Sequence, residues 1–330
     1  MRKPMRIIKA SEIKQFYSMQ QAIDAMDGAF SSMSSGESHV PLRFVSKLPT
    51  DNLVMLFKPA FVEKDKRVTV KFLTQRLNSS IKGIPVIQGV VMVMDSDTGE
   101  ILSIMDGEYL TALRTGASSG LATRCFARRD AEVMALFGCG AQGRTQLEAV
   151  LCERDIKKLL VFDKFKESAD RLIDDLQDQL QIEMVYTEDT STLQEADVIC
   201  TATNSTAPLF TKEDIKKGVH INSIGSFQPD MQELDPYIIK DAKVYVDHVY
   251  SCIKESGDFI KPINDGVFGE DHIVGEIGNF CLGKIEGRSS NEETTIFKSV
   301  GVAIQDYAVA TDVYENSLKE KFGLEIELFN

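Results

Sequence analysis

Hydrophobic and polar positions change their period twice along this chain. Between residues 11 and 34, Phe16, Met19, Ala22, Ile23 and Met26 recur at helical spacing behind Ser11, a residue suited to cap a helix, and they predict one amphipathic helix. From about 40 to 105 the pattern becomes short alternating runs, at 42–45, 53–58, 67–73, 90–94 and 101–105. The last two flank Asp95-Ser96-Asp97-Thr98-Gly99, a hairpin signal, so this stretch predicts a mostly antiparallel sheet. In 67–73, Val68, Val70 and Phe72 mark one face as apolar, while Lys71 shares the other with Thr69 and Leu73. Residues 106–128 then read as a helix, with Leu110, Leu113, Ala117 and Leu121 on one side and Gly116 and Gly120 allowing close approach.

Beyond 128 the period changes again. Short apolar runs near 133, 159, 183, 198, 220 and 243 alternate with helical segments, as in a parallel sheet buried on both faces. Residues 262–287 are glycine-rich and read as loop, and 292–321 read as one long helix able to return to the first unit. The expected fold class is α/β, with a doubly wound Rossmann domain over 129–304 and an α+β domain over 1–128 that 305–330 rejoins.

The first strand of the second half runs Val133-Met134-Ala135-Leu136-Phe137 straight into Gly138-Cys139-Gly140-Ala141-Gln142-Gly143, a G-x-G-x-x-G. Its glycines permit a tight turn, a close backbone approach to a pyrophosphate, and packing of the next helix on the sheet. A glycine-rich turn alone would explain the motif less well, because a helix, a strand and then Asp163, twenty residues after Gly143, follow in order. Gly138, Gly140, Ala141, Gln142 and Gly143 are therefore expected at the pyrophosphate and Asp163 at the ribose hydroxyls. A carboxylate there favours NAD, and Lys164 beside it keeps NADP as the alternative. Thr201-Ala202-Thr203-Asn204 and Asn222-Ser223-Ile224-Gly225 each follow an apolar strand, so Thr201, Asn204, Ser223 and Ile224 join the cofactor-binding set.

A formal net charge of -13 argues against nucleic acid and anionic membranes, and means that an anionic substrate would need a locally basic pocket. The basic N-terminal Met1-Arg2-Lys3-Pro4-Met5-Arg6 leads into too short an apolar stretch for a signal peptide, and no run reaches the length of a membrane span. Six cysteines without C-x-x-C spacing fit a reducing cytoplasm, and His39, His220, His248 and His272 lack ligand spacing, so no metal is expected. Cys139, inside the glycine loop, reads as a small buried side chain.

Several stretches together resemble the ornithine cyclodeaminase and mu-crystallin family over nearly the whole chain: residues 84–91 (IPVIQGVV), 111–117 (TALRTGA), 137–143, 229–235 (PDMQELD) and 297–301 (FKSVG). The resemblance implies a homodimer built on the first domain, a nicotinamide cofactor, and hydride transfer at the α-carbon of a small amino or imino acid. It implies that Arg43, Lys71 and Arg114 form the basic pocket for the substrate carboxylate, and that Arg114, Thr115 and Val300 also lie on the cofactor side. Glu255, Gly257 and Asp258 resemble another family segment without a role assigned.

The departure from the family is Phe227. Cyclodeaminases of the family carry an acid/base aspartate two residues after the glycine matched by Gly225, and here that position is phenylalanine. Asp230 belongs to the variant that resembles the imine-reducing branch; it is a candidate catalytic carboxylate or a helix N-cap before 231–234. The first expectation is thus an NAD(P)H-dependent reductase of small α-imino acids, with cyclodeaminase and a nucleotide-bound binding protein of little turnover as alternatives.

Overall fold

The computed structural model describes residues 4–48, 53–76 and 85–328; Met1, Arg2, Lys3 and Ile84, named above, lie outside them. In chain order the first elements are β1 (Met5–Ile8), α1 (Ala10–Phe16), α2 (Met19–Ser35), β2 (Ser38–His39), β3 (Phe44–Lys47), β4 (Leu53–Val62), β5 (Arg67–Arg76), β6 (Ile87–Asp95), β7 (Ile101–Asp106) and α3 (Gly107–Phe126). There follow β8 (Val133–Phe137), α4 (Ala141–Glu153), β9 (Lys158–Phe162), α5 (Lys166–Leu176), β10 (Glu183–Tyr186), β11 (Val198–Thr201), β12 (His220–Ser223), α6 (Pro236–Asp241) and β13 (Lys243–Val246). The chain closes with α7 (Val249–Glu255), α8 (Gly257–Asn264), β14 (Ile273–Glu276), α9 (Ile277–Cys281), β15 (Thr295–Lys298), α10 (Ala303–Glu320) and β16 (Leu324–Ile326).

Two compact units result, Met1–Arg114 with Val302–Asn330, and Thr115–Gly301. The division falls inside α3, upstream of the change of pattern near 128. In the first half of α3, a Cβ on Gly107 would meet the Gly89 backbone at 2.8 Å, whereas one on Gly116 would meet the Thr145 carbonyl at 2.5 Å. Each half of the helix is thereby committed to a different unit.

In the first unit the sheet order is β16-β1-β7-β6-β5-β4-β2, with β3 also on β4. Its pairs are antiparallel apart from β1 with β7. Helix α10 packs on β4, β5 and β6 and against α2. The single helix expected over 11–34 is two. Lys9, not Ser11, caps α1, and Tyr17 is extended. A capping box then starts α2: Gln21 N donates to Ser18 Oγ at 3.2 Å while Ser18 N donates to Gln21 Oε1 at 2.9 Å.

The faces of β5 are reversed from simple expectation. Thr69, Lys71 and Leu73 are the buried set beneath α10, and the apolar Val68, Val70 and Phe72 are only half-buried. On that open side the rings of Phe44, Phe57 and Phe72 form a row across β3, β4 and β5, with centroids 6.0 and 4.8 Å apart.

The second unit holds an all-parallel sheet of order β10-β9-β8-β11-β12-β15-β13-β14. Strand order reverses between β8 and β11, which makes the loops after these two strands the place where such sheets bind dinucleotides. Two expectations fail here. Residues 292–321 are not one helix, because Thr295–Lys298 is a fully buried strand between β12 and β13, and Gly301, at φ +83°, turns the chain before α10. A four-residue apolar run carries no period long enough to separate strand from helix. Nor is 262–287 simply loop: α8 continues through Pro262 to Asn264, β14 adds an edge strand, and α9 follows it. Among the described residues no helix is long and apolar enough to cross a membrane.

Candidate active site

Candidate residues occur in both units. In the first, Lys71 lies in mid-strand on β5, aimed at the face under α10, and the first turn of α10 answers it with Gln305 and Asp306. Lys71 Nζ donates to Asp306 Oδ1 at 2.7 Å and to Thr111 Oγ1 at 3.1 Å. Arg114 Nε donates to the same Asp306 Oδ1 at 3.1 Å, and its Nη1 to Gln305 Oε1 at 2.6 Å. The Asp306 carboxylate is 1% exposed, and its Oδ2 is buried with no hydrogen-bond partner.

Burial pushes the Lys71 amine down to about 8, with Arg114 and Arg43 adding to the effect and Asp306 resisting it. For Asp306 burial acts to raise the carboxyl, but Lys71 and Arg114 outweigh it and hold the group below its usual range. Desolvating ions in this way costs several kcal/mol per charge, so the cluster is a poor stabiliser, and perturbed groups of this kind gather at functional sites. Arg43, half-buried just ahead of β3, acts on Lys71 through its charge, so the basic trio does converge.

Periodicity did not single out Lys58. It stands opposite Lys71 in the β4–β5 register, is 5% exposed, and is pushed well below the lysine range by burial and then by the charges of Lys71 and Arg114. Asp306 and Gln305 were missed too, because 292–321 read as an uninterrupted helix whose faces could not be assigned.

In the second unit β8 ends at Phe137, and Gly138 turns at φ +95°. A Cβ on Gly143 would sit 1.8 Å from the Gly138 carbonyl, so only glycine lets α4 begin this close to the strand. Gly140 caps α4 and faces open space, with no heavy atom within 4 Å of its Cβ position. Gln142 keeps a buried Oε1 with no partner. An exposed helix start with room beside its glycine fits the pyrophosphate of a dinucleotide. Asp163, at the end of β9, accepts from Cys139 N at 2.8 Å and from Phe165 N at 2.9 Å, so its carboxylate is tied to the glycine loop. The Cys139 thiol is buried and pushed up to about 12, by burial first and then by Asp163, which keeps it unreactive.

Glu233 binds the end of β11 and the loop after β12, where some of the remaining cofactor candidates sit. Its Oε2 accepts from Thr201 Oγ1, Gly225 N and Ser226 N at 2.8, 2.9 and 3.2 Å, and its Oε1 from Thr203 N and Oγ1 at 2.6 and 2.8 Å. Asp258 in turn accepts from Glu233 N at 2.8 Å, Ser223 Oγ at 3.2 Å and Lys298 Nζ at 3.0 Å. Val300 N donates to Asp247 Oδ2 at 3.1 Å. Thr201, Ser223, Ile224, Val300 and Thr115 are buried, whereas Asn204 and Lys164 are exposed. Asp230 is not an N-cap: it is exposed in a turn, residues 231–234 are not helical, and the helix that follows is α6, capped by Asp235. The buried carboxylate of the P-D-M-x-E-L-D stretch is Glu233. Phe227 packs against the apolar core of this unit. No group of three His, Cys, Asp or Glu side chains suited to a metal occurs among the described residues.

The family model for ornithine cyclodeaminase/mu-crystallin matches residues 3–321. The chain belongs to that family. It is 35% identical over 325 residues to the Delta(1)-pyrroline-2-carboxylate reductase of Bacillus cereus, covering 98% of this chain and 100% of that one. Within the family two solved structures superpose closely. The Thermococcus litoralis Delta(1)-pyrroline-2-carboxylate reductase, in complex with NADH and L-proline, has a TM-score of 0.93 at 34% identity over 98% of this chain and 100% of its own. An archaeal alanine dehydrogenase dimer with bound NAD has a TM-score of 0.91 at 32% identity, over 98% and 99% of the two chains.

Proposed function

We propose that the protein is an NAD(P)H-dependent reductase of small α-imino acids, of the ketimine and pyrroline-2-carboxylate type, that runs in reverse as an amino-acid dehydrogenase. The observation that carries this reading is the buried pair of Lys71 and Arg114 braced by Asp306, with the charge of half-buried Arg43 acting on Lys71. Relatives named for imine reduction and amino-acid oxidation support it. The cyclodeaminase alternative wants an acid where Phe227 stands; Asp230 is exposed and both oxygens of Glu233 are engaged by loop donors.

Bound NADH would supply the hydride. Lys71 and Arg114, with Arg43, hold the substrate carboxylate by charge-assisted hydrogen bonds and so fix which face of the C=N bond is presented. The imine carbon accepts the hydride and the π pair passes to nitrogen; an iminium already carries the proton it needs, so no further acid is required. Asp163 receives the ribose hydroxyls and disfavours a 2′-phosphate, which makes NADH the preferred donor. The panel that tests the reading is NADH oxidation with pyrroline-2-carboxylate and with pyruvate plus ammonia, and release of proline and ammonia from ornithine with NAD+ present, a conversion that leaves no net NADH. Reduction of the imines is expected; ornithine yielding proline and ammonia without any imine reduction would sink the proposal.

The reading includes a homodimer, with a reducing cytoplasm as its setting. The ring row of Phe44, Phe57 and Phe72 and the 62% exposure of Phe44 leave an apolar sheet face that a second copy would cover. Light scattering is expected to give twice the chain mass, and Phe44→Glu, at a side chain that is mostly exposed in the monomer, is expected to give a folded monomer. A monomeric wild-type protein would remove this part of the reading.

A further inference from the structure

Asp306 spends only one of its two oxygens as a brace. Oδ1 accepts from Lys71 Nζ at 2.7 Å and from Arg114 Nε at 3.1 Å, while Oδ2, on a side chain 1% exposed, accepts from nothing. Among the described residues it is the one buried carboxylate oxygen without a donor. Lys71 and Arg114 hold the group ionised, below the usual carboxylate range, so Oδ2 shares a negative charge in a buried place. Such an acceptor is costly to leave unmet, and a ligand that brings an N–H relieves the cost. The turn that carries Asp306 is itself fixed: Gln305 Oε1 accepts from Val302 N at 3.2 Å and from Arg114 Nη1 at 2.6 Å.

Two cations beside one carboxylate are the complement of a substrate that carries a carboxylate beside a cationic nitrogen. In an α-imino acid both groups are bonded to the same carbon, so a carboxylate paired with Lys71 and Arg114 brings its nitrogen alongside Asp306. A hydrogen bond from that N–H to a carboxylate favours the protonated iminium over the neutral imine, and the iminium is the form that accepts hydride readily. A 2-oxo acid offers a carbonyl oxygen at the same place, with lone pairs facing an anion and no hydrogen to give. We propose that Asp306 is a substrate-binding residue whose Oδ2 accepts the N–H of the α-imino acid, so that the site selects C=N over C=O. This rests on the reductase reading and sharpens it: Lys71, Arg114 and Arg43 hold the carboxylate, and Asp306 holds the nitrogen. The nitrogen keeps its hydrogen throughout. Hydride adds to the carbon, the π pair passes to nitrogen, and Asp306 stays a carboxylate.

The test compares kcat/KM for pyrroline-2-carboxylate with that for pyruvate in the absence of ammonia, NADH being the donor, in the wild type and in Asp306→Asn. In the variant the amide oxygen stays with Lys71 and Arg114, which need an acceptor, and the NH2 takes the place of Oδ2. Loss of the charge beside Lys71 weakens the hold on the carboxylate of both substrates alike, so their ratio reads Oδ2. The imine-to-oxo-acid ratio is expected to fall at least ~10-fold in the variant, the scale of a hydrogen bond to a charged group. A second readout needs no oxo-acid turnover. Pyrrole-2-carboxylate, a planar acid with an N–H beside its carboxylate, is expected to inhibit the wild type at least ~10-fold more tightly than its isostere furan-2-carboxylate, and to lose that advantage in Asp306→Asn. An unchanged ratio in the variant, or equal inhibition of the wild type by the two acids, overturns the proposal and leaves the reductase reading standing. A wild type that reduces no imino acid overturns both. Where Asp306→Asn does not fold, or neither protein turns over pyruvate, the inhibitor pair on the wild type decides.

Discussion

Lys71→Met is expected to lower kcat/KM for the imino acid by about 10³-fold while leaving NADH affinity unchanged, because removing one member of a buried, hydrogen-bonded charge pair costs ~2–5 kcal/mol. Apart from Arg114, the cofactor residues named above lie in the other unit, so NADH titration by fluorescence separates lost chemistry from lost cofactor binding. The pH profile carries the sharper signature. The Lys71 amine sits at about 8 because it is buried, so it is cationic below that pH and neutral above it. The wild-type kcat/KM is expected to fall as pH rises through about 8, since a neutral amine cannot pair with a carboxylate. In kcat the same limb moves to higher pH, because a bound carboxylate favours the ammonium form. The residual activity of Lys71→Met should lack the limb altogether. A wild-type profile flat to pH 10, or a methionine variant with undiminished turnover, would refute the assignment.

Glu233→Gln is expected to destabilise the second unit by about 2–4 kcal/mol, although it is the nearest isostere. Five donors converge on the two carboxylate oxygens, three on Oε2 and two on Oε1. An amide turns one of these acceptors into a donor, so whichever way it is placed an NH2 group faces backbone N–H groups that have lost their acceptor. Burial acts first on this carboxyl and raises it, and the Lys298 charge and the Thr203 bonds oppose the shift. The loops bound by Glu233 follow β11 and β12, so NADH binding should weaken in step with the melting temperature. Calorimetry together with NADH titration checks both, and a variant with wild-type melting behaviour would show that the donors find other partners.

Much of the cofactor half could be read from the chain. The strand, the glycine turn at Gly138, the helix behind it and Asp163 are consecutive, and each depends on its neighbours: Gly143 must be glycine because Gly138's own carbonyl is in the way. Local order also revealed most strands of the parallel sheet. It failed for Thr295–Lys298, which owes its extended form to the strands on either side, β12 and β13. The substrate half was legible only through resemblance. Arg43, Lys71 and Arg114 look like ordinary surface charges in sequence, and the apolar face of β5 pointed the wrong way for its burial.

By itself, then, the sequence determined the family, the doubly wound nucleotide unit, the glycine loop and the absence of an acid at Phe227, because those features are written in contiguous residues or in fixed spacing. Only the tertiary structure decided which charges meet. Lys71 and Asp306 are 235 residues apart in the chain and 2.7 Å apart in space, Lys58 joins them through strand register, and Glu233 rather than Asp230 proves to be the buried carboxylate. The physical reason is the same throughout: burial and opposing charge depend on packing between distant segments, and no local pattern encodes them.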